Sequence, residues 1–599
     1  MRKRRATALP NLKRLDANRL NRPPQRVPNS APGILSAHAV LVAAVCSLPH
    51  WVAIGQNGSD YSPFSVSPAV SALIFDETHA YAPPAQRFLS TARIDAEVDN
   101  YEHRKMSAGI PFIPEAVLGS MGKLLGGLGR AFVASDCVFP ALLFVLLYGL
   151  TGPLVHERGL RLLIAWSSLV IPFGLLNSFW MGDDALLAPL ELTRTPQPEI
   201  SFLVLIGAVA LLGQSLAKED SWKRAIWAGV ASGAVVYCYY FYAVAWALTL
   251  GLLLVFGLVW KSRLLWTRAA VALALMILLS APFVIATLRG KAQGGQSFLL
   301  ARMGAYTHRP NTLSLVAALA LTIALVSAGR RLCRHQPVYF VLAVLVAGAL
   351  YGMNFQILSG YETQLWHFWK RLALPVCFFL LTSFAARYAE RLFEGKVKVL
   401  RVTAYLLLAA LIAETAARLS YAAILTAPYH RASNPDVAML SWVRNQLSPG
   451  YVLGTTDPEL VLLIPALTAN YTYVPSGLRS LTSTEEIVSR YFELACLLGL
   501  SPEQVERAAA VPDHLAHSTE LLRALGLSYT GDPAVYRWLV DRYRQAHAGC
   551  SLPQGRLDFI ITENASERAA VLSRHPGAQT PYRNARYELL DVRDQRPGR

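Results

Sequence analysis

The chain has 599 residues, of which 53% are hydrophobic and only 16% are charged. Soluble globular domains carry about 25% charged residues, so this composition excludes an ordinary soluble protein and indicates one whose solvent is largely lipid. The formal net charge of +17 suggests nucleic acid as a partner, but the Lys and Arg residues lie mostly in short loops between apolar runs. The positive-inside rule predicts that distribution, so no nucleic-acid partner is expected.

The chain begins with a basic, proline-interrupted arm, residues 1–33, which is predicted to be disordered and cytoplasmic. The apolar run that follows is predicted to be an uncleaved span, because the polar arm before it is long for a signal peptide. With ten further runs, the sequence predicts a polytopic α-helical membrane protein with about eleven transmembrane helices between residues 34 and 427. The predicted spans are 34–54, 133–154, 161–179, 200–216, 225–241, 242–260, 265–288, 312–328, 337–353, 371–386 and 398–424.

The cationic side chains predict the orientation of these spans. If the N-terminal arm is inside, the even-numbered connections are also inside, and they carry most of the Lys and Arg residues. Eleven spans then place residues 428–599 on the extracytoplasmic side of the plasma or inner membrane. The cations predicted to be inside are Arg158, Arg161, Lys218, Lys223, Arg224, Lys261, Arg263, Arg330, Arg331, Arg334, Arg387, Arg391, Lys396 and Lys398.

Residues 428–599 have the pattern of a compact α/β domain. YVLGTT, YTYVP and LDFIIT are typical of short strands, and SNPDVAMLSWVRNQL opens with helix-capping residues. Helices are also predicted at about 484–499, 502–511 and 517–526. Cys496 and Cys550 are able to pair if this side is oxidising, although nothing in their spacing requires it. The chain has no Walker loop and no G-x-G-x-x-G, so no nucleotide cofactor is predicted.

The first predicted outside loop, residues 55–132, contains FDETHAY directly after an apolar run. Asp76 and Glu77 form an acidic pair near the membrane surface, and His79 follows them. Long loops in compact proteins are usually functional or disordered, and this one is too apolar to be disordered. The acidic pair is interpreted either as part of a site or as a solvated pair that caps an interfacial helix.

Two further outside loops carry charged residues on the same predicted face. The second loop holds Asp183 and Asp184 just past the third span, and Arg194 before the fourth. These charged residues are interpreted either as part of a site that they share with the first outside loop or as a helix end with solvated charges.

The fifth outside loop places His367, Lys370 and Arg371 at the entry of the tenth span. The spacing of three and four residues puts His367 on one helical face with both cations. The interleaved Trp366, Phe368 and Trp369 favour an interfacial aromatic belt with snorkelling cations. The other interpretation is a lipid-phosphate site with apolar walls for a prenyl chain.

In architecture, the chain resembles the GT-C membrane glycosyltransferases, of the type of the protein O-mannosyltransferases and the bacterial lipid-linked sugar transferases. The resemblance rests on the charged arm, the first span followed by a long outside loop with an acidic pair, the further spans and the terminal outside domain. It covers most of the chain, while its motif is only a few residues long. In that superfamily a first-loop carboxylate commonly serves as catalytic base, which implies this role for Asp76 or Glu77. Second-loop acids are often part of the site, which implies it for Asp183 and Asp184.

The expected function is an inverting hexosyl- or pentosyltransferase that moves a sugar from a polyprenyl-phosphate carrier to an acceptor at the extracytoplasmic face. Such a donor already has a good leaving group, so the enzyme needs one base for the acceptor hydroxyl and cations for the departing phosphate. One base without a covalent intermediate implies inversion. The predicted phosphate ligands are Arg194, His367, Lys370 and Arg371, and the residues predicted to orient the acceptor or a metal ion are His79, Asp183 and Asp184.

Three alternatives stay open. A divalent ion, Mg or Mn, would make the protein a metal-dependent variant of the same enzyme, although the first loop has no D-x-D. A transporter or channel would place ionisable residues at mid-membrane, whereas these spans are nearly free of charge apart from Glu414. A non-catalytic scaffold for the terminal domain would leave the loop acids without a common purpose. The sequence does not identify the sugar or the acceptor.

Overall fold

The computed structural model describes residues 32–64, 81–171, 190–193, 195, 197–218, 220–295, 304–477, 479–510, 521–522, 525–527, 533–549 and 553–593. Before residue 430 this part of the chain is mainly helical. Its longer helices there are α1 (Pro32–Cys46), α2 (Leu48–Asn57), α3 (Ala82–Thr91), α4 (Ile113–Leu125), α5 (Leu128–Thr151), α6 (Arg158–Val170), α7 (Glu199–Leu216), α8 (Trp222–Val236), α9 (Tyr240–Val259), α10 (Arg263–Ala292), α11 (Thr312–His335), α12 (Pro337–Gly352), α13 (Leu374–Leu392) and α14 (Val397–Thr426).

Seven helices within the described ranges are long and apolar enough to cross a membrane. The pair α1–α2 passes the same test but is bent by 48°, which gives up to eight spans. The predicted count of about eleven is therefore not confirmed. The runs predicted at 225–241 and 337–353 form α8 and α12, which have only 15 and 16 residues. At about 1.5 Å per residue, these helices are shorter than a hydrocarbon core of about 30 Å. The run predicted at 161–179 begins in α6, and its residues 172–179 lie outside the described residues.

Helix α8 is short but packs closely on α10. A Cβ atom at Gly229 would lie 2.6 Å from Leu275, and one at Gly233 would lie 2.7 Å from Leu279. Glycines four residues apart let two membrane helices approach at this distance. The contact fixes the end of α8, and hence the turn at residues 237–239 that contributes to the site described below.

The loops predicted to share the outside face lie together at one end of the helical bundle. The Phe112 N–H donates to the Tyr237 carbonyl at 2.8 Å, and the Asn57 side chain donates to the Ala427 carbonyl at 2.8 Å. Strand β1 (Gly304–Tyr306) follows the seventh predicted span, and β2 (Tyr361–Thr363) precedes the tenth. The two strands pair antiparallel. The side of the membrane on which this end lies stays a prediction.

The opposite end of the bundle is held by a separate set of polar contacts. The Glu390 carboxylate accepts from the backbone N–H groups of His156 and Glu157, at 2.6 and 2.5 Å. Glu157 in turn pairs with Arg401 at 2.9 Å. Connections predicted to be inside therefore also share one end.

The C-terminal part contains a mixed sheet, as the α/β prediction requires. Its strands are β3 (Val452–Gly454), β4 (Tyr471–Thr472), β5 (Phe559–Thr562), β6 (Gln579–Arg583) and β7 (Glu588–Asp591), in the order β4-β3-β5-β7-β6. Strand β3 is parallel to β4 and β5, while β7 is antiparallel to β5 and β6. The described helices around it are α15 (Pro435–Gln446), α16 (Pro458–Thr468), α17 (Thr484–Leu497), α18 (Pro502–Ala509), α19 (Pro533–Ala548) and α20 (Ala565–Arg574).

The first outside loop is attached to this C-terminal domain by buried polar contacts. The backbone carbonyl of Asp99 accepts from the Thr472 N–H at 2.9 Å, beside strand β4. The Glu97 carboxylate accepts from the Ser480 hydroxyl at 2.8 Å and from the Leu481 N–H at 2.5 Å. On α3, Arg87 pairs with Asp95 at 2.8 Å, donates to the Ala469 carbonyl at 3.0 Å and contacts the Tyr471 hydroxyl. FDETHAY leads directly into α3, so its end is fixed to the domain.

Candidate functional site

Several residues predicted for the site lie outside the described residues. Asp76, Glu77 and His79 fall in 65–80, Asp183 and Asp184 fall in 172–189, and Arg194 stands between described positions. Their catalytic and binding roles stay predictions. The other predicted phosphate ligands, His367, Lys370 and Arg371, are described.

His367 and Arg371 meet on one tyrosine. The Tyr239 hydroxyl lies 2.8 Å from His367 Nδ1, and Arg371 Nη1 donates to the same hydroxyl at 3.0 Å. The backbone of Arg371 is fixed as well, because Tyr242 donates its hydroxyl to the Arg371 carbonyl at 2.8 Å. The predicted shared face is therefore confirmed for His367 and Arg371. We call His367, Tyr239 and Arg371 the Tyr239 cluster.

A local departure from the α-helix shapes this cluster. Residues Trp369–Ala373 form one π-helical turn between a short helical turn, Trp366–Phe368, and α13. Such turns occur often at functional sites, because the extra residue changes the direction of the side chains. Arg371 is 8% exposed and Lys370 is half-buried. The segment thus combines two cations and an imidazole with aromatic neighbours, among them Phe241, whose ring centroid lies 4.6 Å from that of His367.

A second polar group lies between the first spans, and the sequence analysis missed it. His50 Nε2 lies 2.8 Å from Asp136 Oδ2, and His50 Nδ1 contacts the Tyr61 hydroxyl. The Thr195 hydroxyl contacts Asp136 Oδ1 and lies 2.9 Å from Glu199 Oε2. Because a hydroxyl carries a single proton, it donates to one of these carboxyl groups only.

We call His50, Asp136, Thr195 and Glu199 the inner polar network. Asp136 stands within the predicted span 133–154, so the statement that the spans are nearly free of charge apart from Glu414 is wrong. An isolated acid in an apolar run was the available signal. Its partners lie 86 and 59 residues away along the chain, so no local pattern could identify them.

A buried carboxyl group is a third feature of this end of the bundle. Glu115, on α4, is 4% exposed, and Gln197 Nε2 donates to its Oε1 at 3.2 Å. Burial raises the pKa of Glu115 to about 8, and the hydrogen bonds from its own backbone N–H and from Gln197 only partly offset this. Glu115 is therefore largely neutral at pH 7. The sequence analysis gave Glu115 no role.

No group of three or more His, Cys, Asp or Glu that could hold a metal ion occurs in the part of the chain that the structure describes. The acids predicted to orient a divalent ion, Asp183 and Asp184, are outside that part.

No family model and no curated protein matches the chain. Among solved structures, it is similar to ArnT from Cupriavidus metallidurans bound to undecaprenyl phosphate, with 12% identity over 94% of this chain and 99% of that one, at a TM-score of 0.40. It is also similar to the Archaeoglobus fulgidus oligosaccharyltransferase AglB in complex with an inhibitory peptide and a dolichol-phosphate (9% identity, 93% and 74% coverage, TM-score 0.39). A third match is an Archaeoglobus fulgidus oligosaccharyltransferase tethered with an acceptor peptide (10% identity, 87% and 68% coverage, TM-score 0.39).

Proposed function

We propose that the protein is an inverting glycosyltransferase that moves a hexose or pentose from a polyprenyl-phosphate carrier to an acceptor at the extracytoplasmic face. The observation that carries this proposal is the Tyr239 cluster, in which His367 and Arg371 converge on one hydroxyl at the loop end of the bundle. A buried arginine held by a tyrosine, beside an imidazole, is a geometry suited to a phosphate ester.

The cluster supplies the part of the chemistry that the leaving group needs. As the bond between sugar and phosphate breaks, negative charge develops on the departing oxygen. Arg371, with its backbone fixed by Tyr242, presents a pre-oriented cation to that charge, and this costs no reorganisation during the reaction. Lys370 and Arg194 are proposed as further phosphate ligands.

The acceptor hydroxyl has to lose a proton in the same step. We assign the base to Asp76, which follows the apolar run Ala72 to Phe75 and precedes α3 by six residues. Arg87 fixes α3 to the C-terminal domain, so the motif has one end on a rigid element. Attack on the anomeric carbon opposite the phosphate inverts its configuration.

Two observations support the extracytoplasmic assignment of the loop end and the C-terminal domain. Cys496, in α17, is disulfide-bonded, and stable disulfides form in oxidising compartments. Arg387, one of the cations predicted to be inside, pairs with Glu390 at the other end, where Arg401 also pairs with Glu157, as the positive-inside rule favours for a cytoplasmic face.

A transporter is the second candidate, because the inner polar network places two acids within spans. Asp136 is eight residues from the start of α5, and Glu199 is the first residue of α7. At about 1.5 Å per residue, both lie in the half of the bundle nearest the loop end. This position favours a site reached from one side over a path across the membrane.

The test uses the full-length protein in proteoliposomes. Decaprenyl-phosphate mannose and decaprenyl-phosphate arabinose, each radiolabelled, represent a hexose and a pentose donor, and a membrane extract of the source cell supplies the acceptor. We expect transfer from one of them, with inverted anomeric configuration in the product by NMR. Uptake of labelled sugar into the liposomes without any transfer would instead favour the transporter.

A further inference from the structure

A cavity of about 240 Å³ lies at the loop end of the bundle, between α3, α4 and α10. Its walls are mainly apolar and aromatic, and their ionisable residues are Asp95, Tyr237 and Glu115, of which Glu115 is 96% buried. The side chains that define the cavity are Phe88, Ile94, Phe112, Glu115, Tyr237 and Phe283. We call it the Glu115 pocket.

The hydrogen bonds of Glu115 are incomplete. Oε1 accepts from the Gln197 amide at 3.2 Å, whereas Oε2 has no hydrogen-bond partner within the described residues. A buried polar atom without a partner costs about 1–3 kcal/mol. Because Oε1 accepts from Gln197, Oε2 is the carboxyl oxygen whose hydrogen bond is missing. The carboxyl group therefore suits an uncharged oxygen-bearing ligand in the pocket.

We propose that the Glu115 pocket binds a sugar ring of the substrate, with a ring hydroxyl as the missing partner of Glu115 Oε2. This inference rests on the proposed glycosyltransferase function and deepens it. The pocket is smaller than the roughly 300–1,000 Å³ of sites for drug-sized ligands, so it fits a single ring. Its aromatic walls suit the apolar face of a sugar, and a hydroxyl suits a neutral acid because it both accepts and donates.

A short stretch of chain links the pocket to the Tyr239 cluster. Tyr237 lines the pocket, and its carbonyl accepts from the N–H groups of Phe112 and Ile113, which begin α4. Tyr239 is two residues further on, so their Cα atoms are at most about 7 Å apart. A sugar in the pocket would therefore lie close to a phosphate at the Tyr239 cluster.

The ring hydroxyl could belong to the donor sugar or to a glycan acceptor, and labelling of Glu115 separates the two sources. Dicyclohexylcarbodiimide, an apolar reagent, modifies protonated carboxyl groups, and peptide mass spectrometry measures the modified fraction of Glu115. The full-length protein in nanodiscs is treated with dicyclohexylcarbodiimide in separate samples. One sample has no further addition, one contains decaprenyl phosphate, and the others contain decaprenyl-phosphate mannose, decaprenyl-phosphate arabinose or the methyl glycoside of either sugar.

We expect one class of sugar probe to slow the modification of Glu115 about tenfold, the factor for one hydrogen bond with a buried partner. Protection by the sugar-bearing lipid, but not by decaprenyl phosphate, assigns the pocket to the donor sugar. Protection by a methyl glycoside assigns it to the acceptor. Equal modification under all conditions, or equal protection by decaprenyl phosphate alone, would overturn the proposal.

Two variants give a second measurement on the same site. Glu115→Gln keeps an uncharged donor at the Oε2 position and should retain sugar-dependent binding within about twofold, whereas Glu115→Leu should lose about tenfold. If Glu115→Leu fails to fold, the protection experiment on the unmodified protein still decides. Normal transfer without any protection of Glu115 would reject the pocket and leave the proposed function intact, whereas absence of all transfer would count against the function itself.

Discussion

Asp99 in the first outside loop and Arg479 in the C-terminal domain form a bidentate ion pair across 380 positions of the chain. Arg479 Nε lies 2.8 Å from Asp99 Oδ2, and Nη2 lies 2.7 Å from Oδ1. The Asp99 side chain is fully buried and that of Arg479 is 12% exposed. The loop that carries FDETHAY and the terminal domain are therefore one structural unit, which gives the domain a role in holding the proposed site.

The first prediction concerns this junction. Arg479→Ala leaves the Asp99 carboxylate buried without its cation, so we expect a loss of about 3–5 kcal/mol in the free energy of unfolding. The exposed pair of Arg544 with Glu506 provides the matched control, since Arg544→Ala should cost about 0–1 kcal/mol. Thermal unfolding of the purified variants measures both. Equal shifts in the two variants would show that the junction adds no stability.

The second prediction concerns orientation. Cysteines introduced for Lys123 and Asn445, both exposed, should react with an impermeant maleimide in intact cells. A cysteine at Arg334, exposed at the end of α11, should react only after the membrane is permeabilised. Labelling of position 334 in intact cells would reverse the orientation and remove the extracytoplasmic site.

The third prediction concerns the donor phosphate. Arg371→Ala removes a charge-assisted hydrogen bond, so we expect the KM for the lipid donor to rise by the equivalent of about 1.5–3 kcal/mol. His367→Ala should act in the same direction. Arg330→Ala changes an exposed arginine of α11 and serves as the control with the same loss of charge. Unchanged donor dependence in both site variants would leave only the aromatic-belt interpretation.

The fourth prediction concerns pH. Burial raises the pKa of Glu115 from its ordinary value of 4.5 to about 8, so between these pH values the folded state holds a proton that the unfolded state lacks. The stabilisation is complete below about pH 4.5 and is lost as the pH rises through about 8. The groups facing Glu115 are Gln197, the Cys238 thiol, and Asp95, which pairs with Arg87.

Glu115→Gln should remove this dependence, because the amide does not titrate. The measurement is the Tm of both proteins across this pH range, with the exposed Glu394→Gln as the control. A constant Tm difference between Glu115→Gln and the unmodified protein would show that Glu115 does not change its ionisation in that range.

The features that the sequence predicted correctly depend on neighbours along the chain. Strands β3 and β5 are short apolar runs between turn residues, and Asn434 caps α15 by accepting from the Asp436 N–H at 2.9 Å. The four-residue spacing of His367 and Arg371 predicted a shared face, and the π-helical turn Trp369–Ala373 sets the direction in which both side chains reach Tyr239. Such patterns act through local geometry, so they could be read without the fold.

The features that the sequence missed depend on distant partners. Strand β6 is mostly exposed and has no apolar alternation, so only its pairing with β7 defines it. Glu115 and Gln197 are 82 residues apart, and neither belongs to a recognisable motif. The count of about eleven spans is not confirmed, because α8 and α12 are apolar enough for a membrane but have only 15 and 16 residues, and apolarity alone does not fix where a helix ends.

The last prediction concerns the base. Asp76 follows the apolar residues Ala72 to Phe75, which should place its carboxylate near the membrane surface, within reach of a lipid-linked sugar. Asp76→Asn keeps the shape of the side chain but cannot take a proton, so we expect it to abolish transfer while expression and binding of the lipid donor stay normal. Adjacent residues do not share a face of a helix or strand, so Glu77→Gln should be milder. Normal transfer by Asp76→Asn with loss in Glu77→Gln would exchange the two roles, and normal transfer by both variants would remove the first-loop base from the proposed mechanism.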